Sequence, residues 1–494
     1  MEEMLIKDIL KDIDSFEIYG NKNLDISEIV YDSRKAAPGS LFICIDGFNE
    51  DGHDYIDNAV NNGSVAVLIE KKLEDYRDDL TYVKVNDSRQ AMSYLARTFY
   101  DYPLEKLKLI GVTGTNGKTT TTYLIKSIID QAGFKTGLIG TINVIIGKER
   151  LPATRTTPES LDLYRYYHKM FQSGVKYVVM EVSSHALDLK RVQGIKFDAA
   201  VFTNISQDHL DYHKSISDYL KAKSRLFKQL KKSGTGIINI DDNYAEDIIT
   251  ATNGDYLTYG LDKGADIKAS NIDLNARGVS FSVNDNKIND INLNLTGRFN
   301  VYNSLAAIGA TKALNFDEDD IKNGLENIKG VPGRFELIDK GQDFAVVVDY
   351  AHTPDGMENV LQTVLEFVKG DIIVVFGCGG DRDQGKRPQM GQIAVKYGDE
   401  CILTSDNPRS EDPLYILDQI EAGIKKTDFD TPYQVIPDRK QAIYSGVKKA
   451  QSEDMVIIFG KGHETYQVFK DKTIHFDDRE IARKALSASQ EGEL

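Results

Sequence analysis

The run LKLIGVTGTNGKTTTTYLIKSIIDQAGF, starting at Leu107, constrains this chain more than any other segment. An apolar stretch, a glycine-rich turn and an amphipathic pattern follow one another. That order predicts a buried strand opening directly into a helix. In such a turn, backbone N–H groups converge on phosphate oxygens, and the helix dipole favours negative charge. Lys118 is then placed to hold the outer phosphates and the Thr119 hydroxyl to ligate Mg²⁺. Gly114, Thr115, Asn116, Gly117 and Thr120 complete the loop. Five residues separate Gly111 from Gly117, one more than the strict P-loop motif, and Val112 follows the first glycine. A glycine-rich turn beside a surface lysine is the competing reading. The loop points to nucleotide binding and leaves the reaction open.

Strand-like and helical segments alternate on both sides of this loop. Before it, short strands are read at residues 40–45 and 65–69, and Asp101-Tyr102-Pro103 makes a break. After it, strands are read at 177–181, 199–203 and 236–240, then an antiparallel stretch at 268–296. A second break falls at Val331-Pro332-Gly333. Beyond it, strands are read at 344–349, 371–377, 400–404 and 455–459. The expectation is an α/β protein of three domains. Residues 1–104 form a small N-terminal α/β domain, 105–332 a central P-loop parallel-sheet domain, and 333–494 a C-terminal Rossmann-like domain. A chain of 494 residues fits that division. The tail at 488–494 is polar and is expected to fray.

Composition narrows the function classes. The net charge of -16 disfavours sequence-independent nucleic-acid binding, which rests on phosphate neutralisation. It leaves open a locally basic site for a small anion. Cys44, Cys378 and Cys401 form no CxxC pair and sit in apolar runs, as buried small hydrophobes do. The acidic, amphipathic N-terminus is unlike a signal peptide. No stretch reaches the roughly 20 apolar residues of a membrane span. The expected compartment is the cytoplasm, with no membrane insertion.

Chemistry-bearing residues cluster after strand ends. Glu181 closes an apolar strand, so its carboxylate projects into the ligand crevice, where Mg²⁺ takes one or two carboxylates beside phosphates. Asp208 and His209 follow the 199–203 strand; a second divalent ion or a helix cap and a packed ring are both open. Asn300 and Asn303 open an amphipathic helix. Either amide could read an adenine edge, and Asn300 could instead be an N-cap. In the last third, Gly379–Asp383, Asp406-Asn407-Pro408-Arg409 and Gly460–Glu464 each follow a strand. Three such loops converge on one crevice.

GVTGTNGKTT, EVSSHALDLKRV, FTNISQDHLDYH and the run YLKAKSRLF from Tyr219 resemble the Mur ligases of peptidoglycan synthesis. The resemblance extends over nearly the whole chain. It implies Thr119 and Glu181 as ligands of one Mg²⁺, with His209 and Lys223 near a second, and Lys223 carbamylated to N6-carboxylysine. It implies catalytic roles for Lys118, Glu181, His209 and Lys223. Asn303 is implied at adenine, and Arg334, Asp349 and His352 near the ATP phosphates after domain closure.

The segments 30–34 and 47–53 resemble the family's uridine-binding part, with Ser33 the best contact. Thr156, Thr157, Ser183 and Arg191 match its further substrate positions, whereas Leu189 stands where some relatives carry Gln. The DNPR motif resembles the branch that adds meso-diaminopimelate. Arg382, Asp406, Asn407, Pro408, Arg409, Gly460 and Glu464 are the implied amino-acid contacts. A distal carboxylate wants Arg409, ideally bidentate, and a distal ammonium wants a carboxylate.

The reaction so implied is ATP-dependent joining of meso-diaminopimelate to the D-Glu γ-carboxylate of UDP-MurNAc-L-Ala-D-Glu through an acyl-phosphate, by a monomer. A lysine-adding ligase and a folylpolyglutamate synthetase-like ligase are the alternatives within the resemblance. A P-loop regulatory module is the alternative outside it.

Overall fold

The computed structural model describes residues 3–47, 50–209, 212–261, 264–275, 277–283 and 288–492. Phe48 and Asn49 of the uridine-type segment, and Leu210 and Asp211 of the FTNISQDHLDYH motif, lie outside the described residues.

Three main sheets organise the chain. The first has five strands in the order Phe16–Tyr19, Thr81–Val85, Ser64–Ile69, Ser40–Ile43, Glu28–Val30. Its first pairing is antiparallel and the other three are parallel. Helix Ser88–Phe99 packs its apolar face inward and is capped by Asp87, whose carboxylate accepts from Gln90 N.

The central sheet has eleven strands. Its heart is parallel: Thr136–Ile139, Tyr177–Glu181, Lys108–Thr113, Phe197–Phe202, Leu230–Asn239 and Asp255–Gly260 lie side by side. The strand Lys108–Thr113 feeds helix Lys118–Gln131, after which the chain skips one place to Thr136–Ile139. Tyr177–Glu181 later fills the gap. That reversal of order opens a crevice at the strand C-terminal ends, where the glycine-rich loop sits. Ile267–Asn275, Gly278–Val283 and Ile288–Leu293 extend one side as the antiparallel stretch read from the sequence. Near-continuous apolar runs at the centre match a sheet covered on both faces.

The third sheet has six strands in the order Glu336–Leu337, Ala345–Asp349, Met455–Phe459, Ile372–Phe376, Glu400–Leu403, Tyr433–Val435. All pairings are parallel except the first.

Two local expectations change. The 236–240 strand is the end of a longer one, Leu230–Asn239, because the register shifts between Phe197 and Ala199 let the partner begin earlier. The tail expected to fray is helical as far as Gln490. Ala482, Ala485 and Leu486 of helix Asp478–Gln490 are buried and hold it down. All three cysteines are free and buried.

Candidate active site

The glycine-rich loop is held from beneath by the neighbouring strand end. Thr115 N donates to Asn204 O, Asn116 N to Asn204 Oδ1, and Thr203 Oγ1 to Asn116 O at 2.6 Å. Gly117 has φ 85, a left-handed conformation, and a Cβ there would collide with Asn303 Oδ1. Asn303 is therefore wedged under the loop. It accepts from Thr121 and donates to Asn300 at 2.9 Å. The reading of Asn300 as an N-cap is overturned. Helix Arg298–Ala313 starts earlier, at Gly297, and Asn300 donates from its third position back to Thr296 O.

Two lysines meet on one carbonyl. Lys118 Nζ donates to Gly114 O and Thr115 O, both at 2.9 Å, and Lys223 Nζ donates to the same Gly114 O at 2.7 Å. Lys223 is buried and also lies 4.2 Å from the Tyr219 ring centre. Burial, and then the charge of Lys118, pull the Lys223 pKa well below the ordinary lysine value. Burial lowers Lys118 too, against the attraction of Glu181 and Asp208.

Glu181 is buried at its strand end and accepts from Thr119 Oγ1 at 3.0 Å and from Thr141 N and Oγ1 at 2.8 and 3.0 Å. A hydroxyl beside a buried carboxylate at a phosphate loop is the donor set Mg²⁺ takes when phosphates and waters fill its other positions. These residues fit that ion. His209 stands apart from them, in left-handed backbone with φ 53, its ring 4.8 Å from His185 and 6.2 Å from Tyr219. As an ammonium, Lys223 would repel a cation. Among the described residues, no cluster of three or more His, Cys, Asp or Glu side chains is arranged to hold a metal. The cap reading of Asp208 is also overturned: Ser215 caps the next helix, and Asp208 bonds the N–H of His209.

The third sheet closes over this loop. Arg334 Nη2 lies 3.2 Å from Thr119 Oγ1, and its guanidinium stacks 4.4 Å from the Tyr350 ring. Asp355 accepts from Asn116 Nδ2 at 3.0 Å and Ser206 Oγ at 2.7 Å, a contact that the sequence reading missed. Asp349 faces its own backbone, accepting from Phe335 N and Ala351 N, and burial raises its pKa. His352 bonds Tyr350 O and is exposed.

Tyr350 leads on to the second group of loops, 4.9 Å from His463. Here the three strand ends do converge. Arg409 Nη1 donates to Gly380 O at 2.7 Å, and Asn407 Nδ2 to Glu464 Oε2 at 2.9 Å. Gly460 has φ 113 and passes so close to Asp406 that a side chain there would meet its carboxylate. Pro408 O packs against Gly380. Arg382 is exposed and donates to its neighbour Asp381 O. Arg409 itself adopts φ 54, a conformation uncommon outside glycine.

Two buried arginines brace these loops. Arg439 pairs bidentately with Asp478, both fully buried, and donates to Ser405 O and Phe459 O, the residues just before Asp406 and Gly460. Arg387 pairs with Glu411 and donates to Gly379 O. Neither is among the residues that the sequence pattern singles out.

Of the residues expected to meet the sugar nucleotide, Ser33 follows the strand Glu28–Val30, and Thr157, Ser183 and Arg191 are linked to one another by hydrogen bonds. Ser33 is buried, its carbonyl held by Asn62. Thr157 Oγ1 donates to Glu181 O and accepts from Ser183 N, while Thr156 pairs with Thr141. Arg191 donates to Thr157 O and pairs with Glu159 at 2.9 Å; Arg89 and Arg155 reach the same carboxylate. Three guanidiniums around one buried carboxylate leave a positive surplus.

With this geometry in place, the comparisons are decisive. The family described as Mur ligase middle domain matches residues 112–311, the Mur ligase glutamate ligase domain matches 333–462, and the Mur ligase catalytic domain matches 25–100. The chain belongs to the Mur ligase family. It therefore stands among the ATP-dependent ligases that form amide bonds.

This Mur ligase is 50% identical to the UDP-N-acetylmuramoyl-L-alanyl-D-glutamate--2,6-diaminopimelate ligase of Caldanaerobacter subterraneus subsp. tengcongensis, over 99% of this chain and 100% of that one. The protein of the same name from Geobacillus thermodenitrificans is 47% identical over 98% and 99%. A solved structure of a ligase so named shares 33% identity with a TM-score of 0.70, covering 99% of this chain and 100% of its own. A crystal structure of MurF from Acinetobacter baumannii, at 21% identity and a TM-score of 0.66, shares the fold over 93% and 95%. No helix among the described residues of this Mur ligase is long and apolar enough to cross a membrane.

Proposed function

We propose that this Mur ligase adds meso-2,6-diaminopimelate to the D-Glu γ-carboxylate of UDP-MurNAc-L-Ala-D-Glu, with ATP cleaved to ADP and phosphate. The observation that carries the acceptor is the two-headed set of loops: Arg409 at one end, Asn407 and Glu464 at the other. A guanidinium suits the distal carboxylate and Glu464 the distal ammonium. The names of relatives matched over nearly full length support the same reading.

On this reading, Lys118 and the loop N–H groups hold the triphosphate, and Arg334 reaches the same phosphates from the third domain. Mg²⁺ held by Thr119 and Glu181 would screen charge between the phosphates and the attacking carboxylate. A carbamylated Lys223 would turn a buried cation into a carboxylate on a long arm, and its depressed pKa supports this, since the neutral amine reacts with CO₂. The γ-carboxylate attacks the γ-phosphorus and ADP leaves; the neutral amine of diaminopimelate then attacks the acyl carbon, loses a proton, and phosphate leaves. Contact of Arg334 and Asp355 with the loop would keep water from that reactive mixed anhydride.

Ser33 serves the uridine end. Thr156, Thr157, Ser183 and Arg191, with Arg89 and Arg155 nearby, serve the anionic middle of the nucleotide. The test is mass spectrometry of the product from UDP-MurNAc-dipeptide, ATP and either meso-diaminopimelate or L-lysine. Diaminopimelate incorporation supports the proposal. Equal use of lysine, or phosphate release without the dipeptide, overturns it.

A further inference from the structure

The acceptor loops bury a lysine that no contact with the amino acid requires. Lys461 has no exposed surface. Its ammonium lies 3.2 Å from Asn407 Oδ1 and 3.2 Å from Glu464 Oε2, and 5.5 Å from the Tyr466 ring centre. Its backbone is clamped between Gly460 at φ 113 and Gly462 at φ 52, so the loop drives the side chain inward. A buried ammonium is kept only where its partners compensate it.

Those partners are themselves fixed by the arrangement. Asn407 Oδ1 accepts from both Lys461 and Val468 N, which forces its Nδ2 to face Glu464. Glu464 Oε2 therefore receives two donors, and among the described residues Oε1 has no protein hydrogen-bond partner. One oxygen is used up and the other is left for a ligand or solvent. With its charge compensated by Lys461, the carboxylate rewards a cation for direction rather than for mere proximity.

We propose that Lys461 is a positioning residue that sets the orientation of Glu464 and thereby the selectivity for the acceptor's distal amino-acid head. This rests on the diaminopimelate reading above. Lysine and the LL stereoisomer of diaminopimelate present the distal head differently, and they are discriminated only while Glu464 is held.

The test uses the full-length enzyme with ATP and UDP-MurNAc-dipeptide, comparing Lys461→Met with wild type. The expected result is a rise of about tenfold in KM for meso-diaminopimelate, the size of one lost charge-assisted hydrogen bond. The kcat/KM preference for the meso over the LL isomer falls, while KM for ATP and for the nucleotide stays within about twofold. On a Glu464→Gln background, Lys461→Met should have no further effect on the acceptor KM. Unchanged stereoselectivity, equal loss toward all three substrates, or additive effects in the double variant would overturn the assignment. Lys461→Gln carries the same comparison should the Met variant not fold. A wild-type enzyme that ligates no diaminopimelate sinks the underlying reading. A wild type that does, with a Met variant as selective as its parent, sinks the role of Lys461 alone.

Discussion

The nucleotide loop and the acceptor loops both lie at the C-terminal ends of parallel strands, yet they handle charge in opposite ways. At the nucleotide loop, Lys118 and Lys223 share one carbonyl oxygen and Arg334 reaches Thr119. Among the described residues neither Lys118 nor Arg334 has a carboxylate at ion-pair distance, and burial lowers the pKa of both lysines. At the acceptor loops, every fully buried cation has its carboxylate: Arg387 with Glu411, Arg439 with Asp478, Lys461 with Glu464. A polyanion can supply its own neutralising charge on arrival. A zwitterion cannot, so its site must be compensated beforehand and must select by direction.

This contrast can be broken experimentally. The largest effect is expected on the nucleotide side. Lys118→Ala should lower kcat by about a thousandfold for every acceptor, in a phosphate-release assay, because it removes charge that acts on the transferring phosphoryl group. A selective loss toward one amino acid would contradict the division. Lys223→Ala should also be severe, and added formate or acetate should restore part of the rate by returning a carboxylate to the vacated space. No recovery would count against carbamylation.

The next effect is on stability. Arg439→Met leaves Asp478 buried without a partner and should cost about 3–5 kcal/mol in urea unfolding. Arg439→Met with Asp478→Leu should recover most of it. If the single variant is as stable as wild type, the compensated-charge account fails.

Smaller again, Arg409→Ala should raise KM for meso-diaminopimelate by about tenfold to a hundredfold while KM for ATP holds, because one charged hydrogen-bonding partner is lost. Lysine should gain relative to diaminopimelate.

At neutral pH the smallest expected effect concerns His463. Burial, and then Arg334, push its pKa from 6.5 down to about 3. The unfolded chain then binds the proton more readily between those values, so stability is full above 6.5 and falls as pH drops toward 3. The slope from this one group is at most about 1.4 kcal/mol per pH unit. His463→Gln should flatten the acid limb of a stability–pH curve by that amount or less.

Much of this was legible in the residues. Local pattern fixes a strand, a glycine turn and a helix, because backbone sterics and apolar periodicity act over a few residues. Thus Lys108–Thr113, Tyr177–Glu181 and Met455–Phe459 could be read directly, as could Thr119 beside Glu181. DNPR and GKGHE could be seen as strand-end loops. Their mutual contact could be expected from the general rule for such sheets.

What the chain alone could not reveal was which partners meet from distant segments. Arg439 on Asp478, Asp355 on Asn116, Arg89 and Arg191 on Glu159, and Lys461 on Asn407 have no sequence spacing that signals them. Burial decides those pairings. An arginine in a polar run reads as solvated until the fold removes its water, and only then does it need a carboxylate. The amino-acid sequence set the elements and the chemistry at each strand end; the tertiary structure chose which charges are desolvated, and therefore which must be matched.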